Sequence, residues 1–376
     1  MSQKPTIFML RSNPVNPDPR VEKEARVLAE RAHVVVLAWD RTGELPIEEP
    51  AVFGIIRRYR GKSPYGSIKM LLKLVGFNLW LARKLLFGRY DAVHAADLDT
   101  GFTAALCMLI RRKYFVYDMY DCYAEANGGF LPGPAVKVAW KLESWVVKRA
   151  HVTIIVDDKR REQIKGMRPR QLEIVYNSPE PLAKKATIHQ EKGSGLHVFY
   201  VGVLARNRGF EYLIDAAASV PHMRLVVGGF GADEQFVKEQ CERHPKNVLF
   251  IGRQSYADVM RLSQESDVLF ALYDPAVPNH TYSSPNKLFE AMMLGLPIIV
   301  SDHTGMSDIV REVGNGLVIP YGNGAAFAEA LEKLKDDSLR KKMGTAGQKA
   351  YEEQYGWPVM AKRLKELYVP LYGKRA

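Results

Sequence analysis

Thr281-Tyr-Ser-Ser-Pro-Asn-Lys-Leu-Phe-Glu-Ala-Met-Met-Leu-Gly-Leu-Pro-Ile-Ile-Val-Ser301 is the stretch on which the fold turns. Ser284 is a residue type that caps helices, and Pro285 suits the first helical position, where its missing N–H costs nothing. Leu288, Ala291 and Met292 make an apolar face at helical spacing, and Gly295-Leu-Pro297 stops the helix. Ile298-Ile-Val300 is then a short β-branched run with no polar face, as in a parallel strand covered on both sides. A helix start with free N–H groups is a ready anion site. Lys287 adds a charge in the first turn, beside Asn286, and Glu290 one turn on offers a carboxylate to a ribose diol. A well-capped helix with a surface Lys and Glu would carry the same letters, so the pattern alone leaves both readings open.

Working outward, the same alternation fills the chain. Ile7–Leu10, Val34–Ala38, Val52–Ile56, Ala92–His94, Tyr114–Asp118, Val152–Val156 and Glu173–Val175 read as strands of a first array. Val198–Val201, Leu225–Val227, Val248–Ile251, Val268–Leu272, Ile298–Val300 and Leu317–Ile319 read as strands of a second. Helices lie between these at Phe210–Ser219, Asp233–Arg243, Tyr256–Ser263, Asn286–Leu294, Met306–Val313 and Ala325–Leu334. Two tandem βαβ arrays predict two doubly wound α/β domains. A chain of 376 residues also exceeds the roughly 250–300 at which single cores stop growing. The polar stretch Pro179 to Leu196 separates them. The expected division is residues 1–180, a linker at 181–195, residues 196–355, and a terminal amphipathic helix over 356–376. Open parallel sheets bind ligands beyond the carboxyl ends of their strands, so two such domains facing each other would hold a ligand in the cleft between them.

The balance of 53 Lys+Arg against 42 Asp+Glu, net +11, points to an anionic partner. Cys107, Cys122 and Cys241 lie far apart without C-x-x-C spacing, which argues against a disulfide framework or structural zinc and fits a reducing cytoplasm. The opening apolar run is too short for a signal peptide and reads as a first strand. No run of 18 uncharged apolar residues suggests a spanning helix.

Three more segments lie around the opening stretch: Tyr200-Val-Gly-Val-Leu-Ala-Arg-Asn-Arg-Gly209, Val227-Gly-Gly-Phe-Gly231 and Val248-Leu-Phe-Ile-Gly252. In order and spacing the set resembles glycosyltransferase family 4, retaining enzymes of the GT-B architecture. The resemblance implies two Rossmann-like domains around a central cleft, with the final helix crossing back to the first. It implies transfer of a sugar from a nucleoside-diphosphate donor to an acceptor hydroxyl with retention, in synthesis of cell-surface polysaccharide or glycolipid. It implies that Glu290 binds the ribose, that the first turn with Ser284, Pro285, Asn286, Lys287 and Leu288 receives the diphosphate, and that Arg208, with Arg206 as a second candidate, touches it too. Gly202 and Gly228 belong to the same donor site. Two cations and a helix dipole can neutralise a leaving diphosphate without a metal. No cofactor is expected beyond the donor. Two departures from the family concern this half. Tyr282 stands where the family has a second glutamate, and Val203 stands where an arginine is common.

The first half is less specific. Asp18 reads as an N-cap with Pro19 at the first helical position, which puts Arg20 in the first turn, within reach of a donor or acceptor phosphate; a structural cap explains it equally. Asp91-Ala-Val-His-Ala-Ala-Asp-Leu-Asp-Thr100 resembles the family's His-x-x-Asp stretch near the acceptor, which assigns His94 and Asp97 there. A lone histidine at a strand end is also a common core residue. Asp97-Leu-Asp99 mimics a metal-binding D-x-D, but no further acidic cluster stands nearby, so no metal is expected. Tyr120 occupies a position where related sequences tend to carry a histidine near the donor sugar.

From Ile55 to Tyr90 there is no acidic residue, while nine Lys and Arg interleave with Phe77, Trp80, Leu81 and other apolar residues. Such a stretch fits an anionic membrane surface. The expected enzyme is therefore cytoplasmic and peripheral on the inner membrane face, with a lipid-linked or glycan acceptor. Nucleic acid is not expected, because no zinc-finger, RNA-binding or helix-turn-helix signature occurs. Two rivals remain: a nucleotide-sugar epimerase of the same architecture, and a non-catalytic nucleotide-sugar binder. A nicotinamide oxidoreductase would need G-x-G-x-x-G after the first strand, and none is there.

Overall fold

The computed structural model describes residues 4–63, 68–126, 133–182 and 195–372. The chain divides into two compact units, Met1–Tyr176 with Met360–Ala376, and Asn177–Val359. Most of the expected linker, 183–194, lies outside the described residues.

The first unit runs β1 (Thr6–Arg11), α1 (Pro19–Ala29), β2 (His33–Asp40), β3 (Glu48–Ala51), β4 (Gly54–Arg60), α2 (Ile68–Phe87), β5 (Ala92–Ala96), α3 (Asp97–Arg111), β6 (Tyr114–Met119), α4 (Tyr123–Ala126), α5 (Gly133–Arg149), β7 (Val152–Ile155), α6 (Arg160–Gln163) and β8 (Leu172–Ile174). Its sheet has the order β3-β4-β2-β1-β5-β6-β7-β8. Only the β3–β4 pair is antiparallel. The strand expected over 52–56 is thus a hairpin whose turn is Val52-Phe53. Glu48-Glu-Pro-Ala51 carries no apolar pattern, and its proline is tolerated because β3 is an edge strand.

The second unit runs β9 (Leu196–Val203), α7 (Phe210–Ala218), β10 (Met223–Phe230), α8 (Glu234–Glu242), β11 (Val248–Gly252), α9 (Tyr256–Glu265), β12 (Val268–Ala271), α10 (Pro278–Thr281), α11 (Asn286–Leu294), β13 (Ile298–Ser301), α12 (Gly305–Val313), β14 (Gly316–Ile319), α13 (Gly324–Lys333) and α14 (Asp337–Ala350). Its sheet is wholly parallel, in the order β11-β10-β9-β12-β13-β14. Tyr200 sits in its core between Phe210 and Phe270, at centroid distances of 5.2 and 5.0 Å. A π-turn at Tyr351–Tyr355 leads to α15 (Trp357–Leu367), inside which the division at 359/360 falls, and α16 (Val369–Tyr372).

The tail is fastened within the first unit. The Tyr114 hydroxyl donates to the Leu367 carbonyl at 2.7 Å, and Lys365 pairs with Glu30 at 2.7 Å. Each sheet has one switch point where successive crossovers reverse direction, between β1 and β5 and between β9 and β12. Ligands of doubly wound sheets bind at the carboxyl ends there.

The basic stretch 55–90 is not one amphipathic helix. Residues through Arg60 form β4, where Arg57 pairs with Glu48 at 2.7 Å and Arg58 with Glu49 at 2.6 Å. In α2, Phe77 and Leu81 are fully buried, and Phe77 stacks on Trp39 and Trp80 at 5.4 and 6.1 Å. The Phe77/Trp80/Leu81 group is therefore a packing face, and among the described side chains the exposed large apolar residues of α2 are Leu72, Val75, Leu79 and Phe87. No helix among the described residues is long and apolar enough to cross a membrane.

Candidate functional site

At the switch point of the second sheet, the loop after β9 meets the loop after β12. The Asp274 amide donates to the Asn207 carbonyl at 3.1 Å, joining the two. Arg208, in the 3-10 turn Arg206–Arg208, lays its guanidinium on the Tyr273 ring, 3.4 Å from the centroid. Its Nε and Nη1 are buried with no hydrogen-bond acceptor among the described residues. Gly209 ends the turn at φ +76°, a conformation that favours glycine.

The first turn of α11 reaches the same place. Lys287 Nζ donates to the Val201 carbonyl at 2.6 Å and lies 4.6 Å from the Tyr200 ring centroid. Burial holds its ammonium below the ordinary lysine value, partly offset by the Glu290 charge. Glu290 is buried one turn on and accepts from the Tyr256 hydroxyl, which burial and this carboxylate push well up. His280 completes the group. It packs on Tyr273 at 4.9 Å, its Nδ1 lies 2.9 Å from the Asp274 carbonyl, and burial and the Arg208 charge push its pKa down.

Glycines make room at the strand ends. Gly202 and Gly229 are paired across β9 and β10. At φ +133°, a Cβ on Gly229 would run into the Gly202 carbonyl. A Cβ on Gly228 would meet Ile251 at 2.7 Å.

Two details of the expected donor site differ. Pro285 has extended backbone at φ −70°, ψ 155° and is itself the N-cap, so α11 begins at Asn286 and Ser284 lies before the cap, buried. Proline offers no capping side chain, and the Leu288 amide donates instead to the Pro285 carbonyl at 3.0 Å. Arg206 turns away from Arg208: it is exposed, over the Phe236 ring at 4.3 Å and 3.5 Å from Asp233. Leu288 is core. Tyr282 closes α10, half-buried. Tyr273, Tyr256 and His280 escaped the sequence reading; the available signal for Tyr273 was its place directly after the strand at the switch point.

In the first unit Asp18 caps α1, as its spacing predicts, accepting from Val21 N at 3.2 Å. Of the two readings of Arg20, a phosphate contact or a structural role, its bonds within the first unit fit the second. Arg20 is buried, bonds Asp118 at 3.0 and 3.1 Å and the Val175 carbonyl at 3.0 Å, and pairs with Glu24 at 3.1 Å. His94, assigned above to the acceptor side, is buried in this cluster. Its Nδ1 lies 2.7 Å from the Tyr368 hydroxyl, and its Nε2 lies 3.4 Å from Asp118 and 3.5 Å from Glu24.

Glu24, His94 and Asp118 could offer ligand atoms within 4.8 Å of one another, a cluster the sequence did not reveal. The Arg20 guanidinium already supplies positive charge there. It holds Asp118 below the usual carboxylate range, while burial pushes Glu24 up. Tyr120 lies between Arg11 and Arg20, 4.4 and 4.7 Å from their guanidinium carbons. At the first sheet's switch point Asp97 pairs with Arg11 at 2.5 Å and accepts from the Tyr120 amide at 3.0 Å, while Asp99 accepts from Ser12 at 2.8 Å. Burial raises the Asp97 carboxyl to about 6.

The chain matches two family models, "Glycosyltransferase Family 4" over residues 20–178 and "Glycosyl transferases group 1" over residues 184–350. A phosphatidyl-myo-inositol mannosyltransferase of Mycobacterium leprae is 28% identical over 166 residues, 43% of this chain and 42% of that protein. Sucrose-phosphate synthase of Thermosynechococcus elongatus superposes with a TM-score of 0.79 at 17% identity, over 98% of this chain and 99% of that one. Anabaena Alr3699/HepE in complex with UDP-glucose superposes at 0.70 with 16% identity, over 96% and 98%.

Proposed function

The chain belongs to glycosyltransferase family 4, with the GT-B fold, and on that premise we propose that it moves a glycosyl group from a nucleoside-diphosphate sugar to an acceptor hydroxyl with retention of anomeric configuration.

The observation that carries this reading is Arg208. Buried guanidinium nitrogens without an acceptor are costly, and a diphosphate supplies the missing oxygens. Lys287 and the N-terminus of α11, whose N-cap Pro285 offers no capping side chain, lie at the same strand ends, so three sources of positive potential surround one place. Glu290 accepts the ribose hydroxyls, and Tyr256 holds its carboxylate in position. In the reaction the acceptor oxygen bonds to the anomeric carbon as the bond to the diphosphate breaks. Charge gathering on the diphosphate is met by Arg208 and Lys287, preorganised in a site of low dielectric. The acceptor proton passes to the leaving phosphate, so no protein base and no metal is needed. The UDP-glucose complex of the Anabaena protein supports this kind of donor, and the lipid in the mannosyltransferase's name supports a lipid-linked acceptor.

A thermal-shift screen of nucleoside-diphosphate sugars tests the donor. A ligand at one hundred times its Kd adds about 2.7 kcal/mol of stability, and Arg208→Ala should lose most of that shift. If no nucleotide sugar shifts the wild type, the reading falls. NMR of the product's anomeric signal tests retention separately, and activity that survives chelators tests metal independence. A non-catalytic binder is the second reading, motivated by Tyr120 being held between the guanidinium groups of Arg11 and Arg20. Donor binding without hydrolysis or transfer would favour it.

A further inference from the structure

Helices α2, α3 and α5 enclose an open groove of about 700 Å³ along one side of the first unit. Its walls are apolar almost throughout, chiefly Val75, Leu79, Phe102, Leu106, Val138 and Leu142. Polar groups within it are satisfied locally: the Thr103 hydroxyl donates to Asn78 Oδ1 at 2.5 Å. Val75, Leu79 and Val138 are each more than half exposed, at 58, 68 and 56%. Large apolar side chains left in water side by side mark a place where something apolar binds.

The groove has a direction. One end carries Asp99 and Tyr123, and Asp99 lies in the first turn of α3 beside Ser12. That end is the carboxyl edge of the first sheet at its β1/β5 switch point, where a ligand's reacting part is expected. The other end runs along α3 towards Leu106 and Cys107. A ligand matching this layout has a hydroxyl-rich head, which donates to carboxylate and phenol oxygens, followed by an apolar tail. A phosphate set against Asp99 would be repelled. The surroundings match a membrane: Lys73 and Arg83 of α2 and Lys137 and Lys141 of α5 are exposed. α2 contains no acidic residue, and the single acid of α5, Glu143, is buried and bonded to the Tyr117 hydroxyl at 2.8 Å. An anionic surface would meet only cations from these two helices.

We propose that this groove holds the alkyl chain of a hydroxyl-bearing lipid, such as a glycolipid, with its head at Asp99 and Tyr123. The lipid's identity as the acceptor rests on the transferase reading above; occupancy of the groove does not.

Calorimetric titration with alkyl glucosides below their micelle concentrations tests it on the full chain, without donor. One site per chain is expected, and each added pair of methylenes should tighten binding by about tenfold. Glucose alone should give no heat. Val75→Glu combined with Leu142→Glu, both at solvent-facing positions, should weaken dodecyl glucoside binding at least thirtyfold while the melting curve stays near that of the wild type. Equal binding by that variant, affinity independent of chain length, or no saturation below the micelle concentration each overturn the proposal. So would a wild-type dimer that the double variant makes monomeric, because the occupant would then be a second copy. A chain that binds alkyl glucosides but transfers no sugar keeps the groove and loses the transferase reading.

Discussion

Glu290 is the residue whose loss should be most specific. A carboxylate hydrogen-bonded to a ribose contributes about 1.5–3 kcal/mol, so Glu290→Ala should weaken donor binding roughly ten- to a hundredfold while the protein stays folded. Calorimetry with an unchanged Kd would end the ribose assignment. Lys287 makes a prediction about pH. Burial lowers its pKa in the free protein, and a bound diphosphate would raise it again by its opposite charge. Donor binding should therefore take up a proton once the pH passes the lowered value, and affinity should fall with rising pH there, earlier than for an ordinary lysine. Lys287→Arg, which stays charged, should abolish that alkaline decline; a decline that persists in the variant would remove Lys287 from the diphosphate site. The same scale shows what letters alone leave undecided. Arg20 and Lys287 are both first-turn cations behind a proline, yet Arg20 is spent on Asp118 and Glu24, and Lys287 on a single carbonyl that a phosphate can replace.

At the scale of the element, strand ends matter most. Gly229 and Gly252 both have positive φ, +133° and +61°, but only at Gly229 would a Cβ strike backbone, the carbonyl of Gly202. Gly252 has nothing within 4 Å. Gly229→Ala should therefore cost the second unit on the order of 3 kcal/mol, and Gly252→Ala only about 1 kcal/mol of backbone strain. Denaturant melts of the two variants compare them directly; equal losses would mean that the close approach of β9 and β10 contributes nothing. Most strands and the helices of the second array were legible from sequence, and two of the elements that escaped explain themselves. β3 is four residues with a proline and two glutamates, and α14 is polar outside, with Gly344 and Gly347 packed where a larger residue would announce a core face.

For the whole molecule the question is what a net charge of +11 does. The exposed cations of α2 and α5 should draw the protein to anionic vesicles. That attraction should fade with salt as the Debye length shrinks from about 10 Å at 0.1 M to about 3 Å at 1 M. Co-sedimentation with vesicles of anionic phospholipid should show binding at low salt, and Lys73/Arg83/Lys137/Lys141→Glu should remain in the supernatant. Equal binding to neutral vesicles, or none at low salt, would separate the protein from a membrane surface.

The order of residues was enough to read two α/β arrays, the glycine-bearing strand ends and the helix that carries Lys287 and Glu290. These are local matters, in which the period of apolar residues, β-branched runs and turn chemistry act over a few neighbours. The uses of the charged groups followed from contacts between distant parts of the chain. Arg208 meets Tyr273, 65 positions away, and His94 meets Tyr368, 274 away, because crossovers bring distant strand ends and the chain's tail together. Burial then sets which charges must pair and which stay available. It turned Arg20 and His94 into core and left Arg208 with nitrogens still to satisfy. It also turned Phe77 and Leu81 of the basic helix inward, leaving Val75 and Leu79 as its apolar exterior. Periodicity places residues on a helix face; which face meets the sheet depends on neighbours that no local pattern contains.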